Sequence, residues 1–237
     1  MVCSPIVSIN GKWQLIGKRH ETIINSMKKS ILELIEEKLS IKNRFLLGIC
    51  GAPGAGKSTL AEWIVHEWNE INPGQAVLVP MDGYHFSNEK LEEISLLLLK
   101  GIPDTFDSQA FVDKLKAIKT EPTVAHFCPK FERSIEASIP DAIAIDPRHR
   151  LILTEGNYLL LNTSPWNEII NVLDEIWFID ANEELLFPRL VARHVAAGKT
   201  KESAEDKVNS TDLPNAKLVD ASKARAHRIF AATDLSK

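Results

Sequence analysis

The sequence predicts an α/β fold built on a parallel sheet, and three observations carry that expectation. Residues 44–50 (RFLLGIC), 151–155 (LILTE) and 175–180 (EIWFID) are short, nearly pure apolar runs, as strands buried on both faces require. Amphipathic stretches separate them, and strand, helix, strand in that order implies right-handed crossovers and parallel pairing. The first run ends on a glycine-rich segment that leads into a helical pattern. With 237 residues, 44% of them hydrophobic, the chain has material for one such domain, or one domain with a helical extension.

In chain order, residues 20–42 place Ile24, Met27, Ile31, Leu34, Ile35 and Leu39 at three- and four-residue spacing, an amphipathic helix ahead of the first strand. That divides the chain into an extension, residues 1–43, packed on a core domain, residues 44–237. After the first strand a helix is expected from residue 57 to about 70, closed by Asn72-Pro73-Gly74. Residues 76–81 (AVLVPM) form the next strand, with Asp82-Gly83 at its carboxyl end. Residues 87–99 and 108–118 read as helices, the second capped by Asp107 or Ser108. A helix around residues 166–173 joins the last two apolar runs. Residues 182–198 are helical in pattern, and Pro188 is expected to kink that helix or start a new segment. The tail from Lys201 reads as polar, then weakly helical.

Composition narrows the classes of function. The formal net charge is −4 and no run of five Lys or Arg occurs, which disfavours nucleic acid or an anionic membrane as main partner. A small anionic ligand stays open, because local charge matters more than the total. The first ten residues lack the pattern of a secretory signal, and the densest apolar run, residues 94–99, is far too short to span a bilayer. Cys3, Cys50 and Cys128 show no C-x-x-C spacing. These features predict a reduced, cytoplasmic protein.

Gly51-Ala52-Pro53-Gly54-Ala55-Gly56-Lys57-Ser58 matches G-x-x-x-x-G-K-[ST] at every specified position, between a strand and a helix, and Thr59 follows it. Glycines let the backbone curl so that successive N–H groups face phosphates, and the helix amino terminus adds attraction for anionic oxygens. Lys57 is placed to reach the β- and γ-phosphates of ATP and Ser58 to hold Mg²⁺.

Other candidates are less decided by position alone. Asp82 lies at the carboxyl edge of the sheet, where α/β proteins place ligands, and reads equally as a base for an attacking hydroxyl or as the turn aspartate of Asp-Gly. Glu155 ends a strand at the same edge and is open between a Mg²⁺ or acceptor contact and a solvent-facing carboxylate. Arg189 and Arg193 share one helical face beside His194, suited to a lid over a phosphoryl group or to a solvated surface. Arg133 is open between substrate contact and an exposed ion pair. Cys50 reads as a small buried apolar residue, and His85, His126 and His194 lack zinc-ligand spacing.

Together the segments GICGAPGAGKSTLA, MDGYHFSN, GIPDTFDSQAF, ILTEGNYLLL, DEIWFIDA and RLVARHVAAGKT resemble the P-loop kinases that include phosphoribulokinase, uridine kinase and bacterial-type pantothenate kinase. The likeness is nearest to the fructokinase-like or pantothenate-kinase-related branch, with departures. The P-loop starts at Gly51 rather than near the amino terminus as in uridine kinases, and the DGYHF segment differs from their form. The resemblance implies a doubly wound parallel sheet with a helical lid around residues 185–212. It implies Asp82 as catalytic base and Arg189 and Arg193 at the phosphates. It also implies an acceptor pocket bordered by Tyr84, His85, the segment Lys100 to Asp107 with Phe106, the segment Phe131 to Arg133, Glu155, Asn157 and Tyr158, with Asn215 on the adenine side.

The reading that follows is an ATP- and Mg²⁺-dependent kinase acting on a hydroxyl of a small metabolite: a sugar such as fructose, a pantothenate-like compound or a nucleoside. A homodimer is expected by family analogy. The alternative is a nucleotide-dependent switch or accessory ATPase acting on a protein, although no N-K-x-D segment for guanine is present.

Overall fold

In the computed structural model of the chain, residues 6–9 and 12–235 are described, with side chains from residue 26 to residue 233. The element order is β1 (Ile6–Ile9), β2 (Lys12–Leu15), α1 (Ile16–Ile41), β3 (Phe45–Gly51), α2 (Lys57–Ile71), β4 (Ala76–Pro80), α3 (Asn88–Glu93), α4 (Ser108–Thr120), β5 (His126–Glu132) and β6 (Ala137–Ile145). It continues with β7 (Leu151–Gly156), α5 (Ile169–Val172), β8 (Glu175–Asp180), α6 (Glu183–Ala196), α7 (Lys201–Lys207), α8 (Leu213–Asp220), β9 (Arg228–Ala231) and α9 (Ala232–Leu235). No described helix is long and apolar enough to cross a membrane.

The main sheet has five strands in the order β4-β7-β3-β8-β9, and every pairing is parallel. From β3 the chain crosses to the edge strand β4, fills in β7 between the two, and then builds β8 and β9 on the other side, so β3 stands where the winding reverses. Ligands of open α/β sheets bind at the carboxyl ends of strands at such a point. All seven residues of β3 and all six of β7 are buried, which explains their unbroken apolar runs.

On one face of the sheet, Ile31, Ile35 and Leu39 of α1 join Ile64 and Trp68 of α2 and Leu47 and Ile49 of β3 in a buried cluster. Each such aliphatic side chain contributes roughly 1.5–3 kcal/mol when fully removed from water. The amphipathic pattern of residues 20–42 is thus spent on the sheet, with Ile24 lying outside the described side chains. The opposite face carries α4, the 3₁₀ turn Trp166–Glu168 and α5 over Leu46, Ile152 and Phe178.

Several elements differ from the sequence expectations. The helix expected over residues 87–99 is only α3, capped by Ser87. Ser95 then takes a left-handed conformation (φ +58°), and Leu97–Leu99 form a separate 3₁₀ turn. Strand β4 stops at Pro80, and Met81–Tyr84 curl into a 3₁₀ turn rather than extending the strand. Pro188 starts no new helix, for α6 runs through it from the cap at Asn182. The hairpins β1–β2 and β5–β6 and the edge strand β9 were not anticipated. Between α7 and α8 the chain widens into a π-helical turn, Val208–Asp212.

Candidate active site

At the carboxyl edge of the sheet lies a cavity of about 390 Å³, open to solvent between the β3–α2 loop, β7, the 3₁₀ turn after β4, the β5–β6 hairpin and the segment from α6 to α8. Its floor is the phosphate loop. Gly56 caps α2 with φ +101°, a left-handed conformation that a side chain would strain, and this points the helix amino terminus and Lys57 into the cavity. Lys57 is buried and donates from Nζ to the Ala52 carbonyl at 3.0 Å. Burial pushes its pKa down, countered chiefly by the Glu155 carboxylate.

Ser58 Oγ donates to Glu155 Oε1 at 3.1 Å, and burial pushes the Glu155 pKa up while Lys57 opposes it. A hydroxyl and a carboxylate side by side, both hard oxygen donors, suit Mg²⁺, which typically takes one or two protein oxygens and completes its shell with phosphates and water. Among the described residues no group of three or more His, Cys, Asp or Glu side chains is placed to hold a metal ion by itself.

Asp82 faces the cavity from the turn after β4. Its neighbour Gly83 explains its position: a Cβ there would lie 2.3 Å from the Pro129 carbonyl oxygen, so only glycine lets this turn seat against β5. Arg133, just past the end of β5, brings Nη2 to 3.9 Å from Asp82 Oδ2. His85 closes the same wall, its Nδ1 2.9 Å from the Asp82 carbonyl oxygen and its ring packed on Phe106 and Phe131 at centroid distances of 3.9 and 5.1 Å. Burial holds the His85 pKa below its usual value.

The two arginines of α6 separate in the fold. Arg193 lines the cavity, its pKa lowered by burial first and by Arg133 second. Arg189 does not line it but donates from Nη1 to the Gly54 carbonyl at 3.2 Å, bracing the phosphate loop from above. His194, Lys207, Thr211 and Asp212 also reach the cavity, and His194 Nε2 lies 2.6 Å from Asp212 Oδ2, tying α6 to the π-helical turn.

Of the residues expected at the site, the cavity wall brings together Pro53, Gly54, Gly56, Lys57, Ser58, Thr59, Asp82, His85, Phe106, Arg133, Glu155, Asn157, Arg193 and Asn215. Gly51, Ala52 and Ala55 belong to the loop without lining the cavity. Tyr84 points into the core, its ring 5.0 Å from that of Phe111. Tyr158 is wholly buried behind the wall, where its hydroxyl donates to Asn215 Oδ1 at 2.8 Å and also meets the Gly101 carbonyl. Cys50 lies on the adjacent strand, buried, its thiol pushed up to about 12 and therefore unreactive. The sequence singles out neither Lys100 and Phe131 nor, from the segment between α6 and α8, Lys207, Thr211 and Asp212, all of which line the cavity. Lys100 and Phe131 stood within expected border segments, and the others carry no local signal.

A family model described as the KAP family P-loop domain matches residues 23–181. A Schizosaccharomyces pombe protein provisionally named uridine kinase C227.14 is 31% identical over 191 residues, covering 78% of this chain and 81% of that one. The Escherichia coli protein YggC is 30% identical over 218 residues, 89% of this chain and 88% of its own length. Among solved structures, a Silicibacter protein provisionally described as a fructose transport system kinase superposes with a TM-score of 0.77 at 30% identity, covering 87% of this chain and 98% of that one.

Proposed function

The chain belongs to the P-loop kinase family, with a P-loop domain of KAP type, and from that premise we propose that it transfers the γ-phosphate of ATP to a hydroxyl group of a small metabolite. The observation that carries this reading is Asp82, a carboxylate facing the phosphate loop across one cavity with Lys57, Ser58 and Glu155 opposite. A carboxylate at that place can take the proton that an attacking hydroxyl must lose as the new P–O bond forms, and with the small-molecule kinases among its relatives this favours a kinase over a nucleotide switch.

In this mechanism the loop amides and the α2 amino terminus hold the triphosphate, and Lys57 leaves the Ala52 carbonyl for the β- and γ-phosphate oxygens. Ser58 and Glu155 would hold Mg²⁺, which would neutralise charge on the phosphates. Arg193 meets the transferring phosphoryl from the lid, and Arg189 keeps the loop in place through Gly54. Asp82 orients the acceptor hydroxyl and takes its proton. His85, Phe106 and Asn157 shape the acceptor pocket, and Asn215, held by Tyr158, completes the wall toward the lid. Sugars of the fructose type, nucleosides and pantothenate-like compounds are the acceptors to try, the first two in keeping with the names of the relatives.

The test is an ATP-consumption screen over those three classes, with product identified by mass. Acceptor-dependent ADP release that vanishes in Asp82→Asn supports the kinase. ATP hydrolysis indifferent to every acceptor and to that substitution would instead support a switch ATPase.

A further inference from the structure

The charges on the cavity wall do not balance once the nucleotide's partners are set aside. Glu155 is engaged with Ser58 and Lys57, and Asp212 with His194 at 2.6 Å. Asp82 faces Arg133 at 3.9 Å, too far for a hydrogen bond, so Arg133 keeps its N–H donors for a ligand. Lys57 sits in the phosphate loop and Arg189 is tied to it, while Arg193, which feels Arg133, Asp82, Asp212 and Glu155, is assigned to the transferring phosphoryl by the kinase reading. Lys100 and Lys207 remain, and neither has a carboxylate within ion-pair distance among the described residues. Lys100 Nζ donates to Asn88 Oδ1 at 2.7 Å and to the Glu136 carbonyl at 3.2 Å, and lies 5.2 Å from the centroid of the Phe131 ring. Lys207 Nζ donates to the Leu98 carbonyl at 3.2 Å. All these partners are neutral, and an ammonium carries three N–H donors, so Lys100 keeps one for a ligand in the cavity it lines.

Lys100 is also held in place, for its partners come from α3, the tip of the β5–β6 hairpin and an aromatic ring. Lysines left merely to solvate a surface do not need three anchors. The charge of Lys100, like that of Arg133, is felt at His85 on the acceptor wall, and Glu89, which also feels Lys100, is fully exposed to solvent.

We propose that the acceptor is itself an anion, a hydroxylated compound bearing a carboxylate or phosphate group that Lys100 and Arg133 bind on the wall opposite the phosphate loop. This rests on the kinase reading for the hydroxyl end of the molecule, while the anion site stands on Lys100 and Arg133 alone. Lys207, reaching from the lid to the Leu98 carbonyl, adds positive charge at the mouth.

The experiment compares matched probes that differ in one charged group: glycerate with glycerol, pantothenate with its alcohol, fructose phosphate with fructose, and uridine monophosphate with uridine. Binding is measured by calorimetry to the full chain loaded with Mg²⁺ and a non-hydrolysable ATP analogue, and transfer from labelled ATP is followed in parallel. A charge-assisted contact predicts that the anionic member of at least one pair binds about 10- to 100-fold tighter than its neutral partner. Lys100→Gln and Arg133→Gln should each shrink that preference about tenfold or more, while Lys100→Arg, which keeps the charge and guards against a folding artefact, should retain most of it. Carboxylate and phosphate pairs respond separately and so tell which anion is read. Equal or better binding of every neutral member, or a preference that survives both glutamine variants, overturns the proposal. Efficient phosphorylation of a neutral acceptor would overturn it while upholding the kinase. Lys100-dependent anion binding without any transfer would uphold the anion site and remove the kinase reading.

Discussion

The two walls of the cavity are made in opposite ways. The phosphate wall is one continuous stretch, Gly51 to Thr59, completed by Glu155 from the neighbouring strand, and its main contacts are backbone groups and a helix end. The acceptor wall gathers Asp82, the pair Lys100 and Phe106, Arg133 and Asn157 from four separate segments, and its contacts are side chains. A wall built from backbone binds what all nucleotides share, whereas a wall built from side chains can be changed one residue at a time without disturbing the other. This division predicts that substitutions on the acceptor wall change transfer and leave ATP affinity nearly intact, while those on the phosphate wall change both.

The sharpest test is Asp82→Asn. Asparagine keeps the shape but cannot accept a proton at neutral pH, so transfer should fall by about 10² to 10⁴ while ATP affinity barely moves. Nucleotide titration beside product formation reads both numbers, and lost ATP binding would put Asp82 on the phosphate wall instead.

Arg193→Ala comes next, with an expected loss of roughly 10³-fold in kcat by analogy with arginines that meet a transferring phosphoryl. Arg189→Ala should act more weakly and through ATP binding, since its contact is with the Gly54 carbonyl rather than the cavity. Equal loss of kcat in both variants would erase the distinction that the structure draws between them.

Lys57→Ala should lower turnover by about 10² to 10³ and weaken ATP binding in the same variant, the mark of the phosphate wall. Undiminished binding would mean that the loop amides carry the triphosphate alone.

The smallest effects concern the edges of the acceptor wall. Tyr84→Phe should leave kcat and acceptor KM within about twofold, because the ring is in the core and its hydroxyl lines no part of the cavity. His85 predicts a pH response of stability. Its folded pKa is depressed by burial, so below about pH 6.5 the unfolded chain binds the proton more readily. Its contribution is therefore complete above that pH and declines as pH falls through the window beneath it. The melting temperature should drop on acidification, and His85→Gln should flatten the drop; an unchanged slope would assign it to other groups.

Legibility followed the same division. The phosphate loop, its flanking strand and helix, β7, β8 and the Asp107 cap of α4 announce themselves through runs and spacings of a few residues, because each is stabilised largely by its own backbone pattern and by burial on both faces. The β5–β6 hairpin did not. Only His126, Cys128 and Ile145 of its strands are buried, Pro129 and Pro140 interrupt it, and no clean alternation marks it. Strand β9 is four residues long and only partly buried at the sheet edge. The π-helical turn before α8 carries no spacing signal at all.

By itself the sequence determined the parallel α/β architecture, the phosphate loop with Lys57 and Ser58, and the placing of Asp82 and Glu155 at strand ends, because strand periodicity and glycine conformations are local properties of the chain. Only the tertiary structure decided that Arg189 braces the loop while Arg193 enters the cavity, that Tyr84 turns into the core beside a cavity-facing Asp82, and that Lys100 meets Asn88, Phe131 and Glu136. Each of these depends on how segments distant along the chain come to lie against one another. The seat that fixes the acceptor wall, Gly83 pressed to the Pro129 carbonyl, is a contact between residues 46 positions apart that no window of sequence contains.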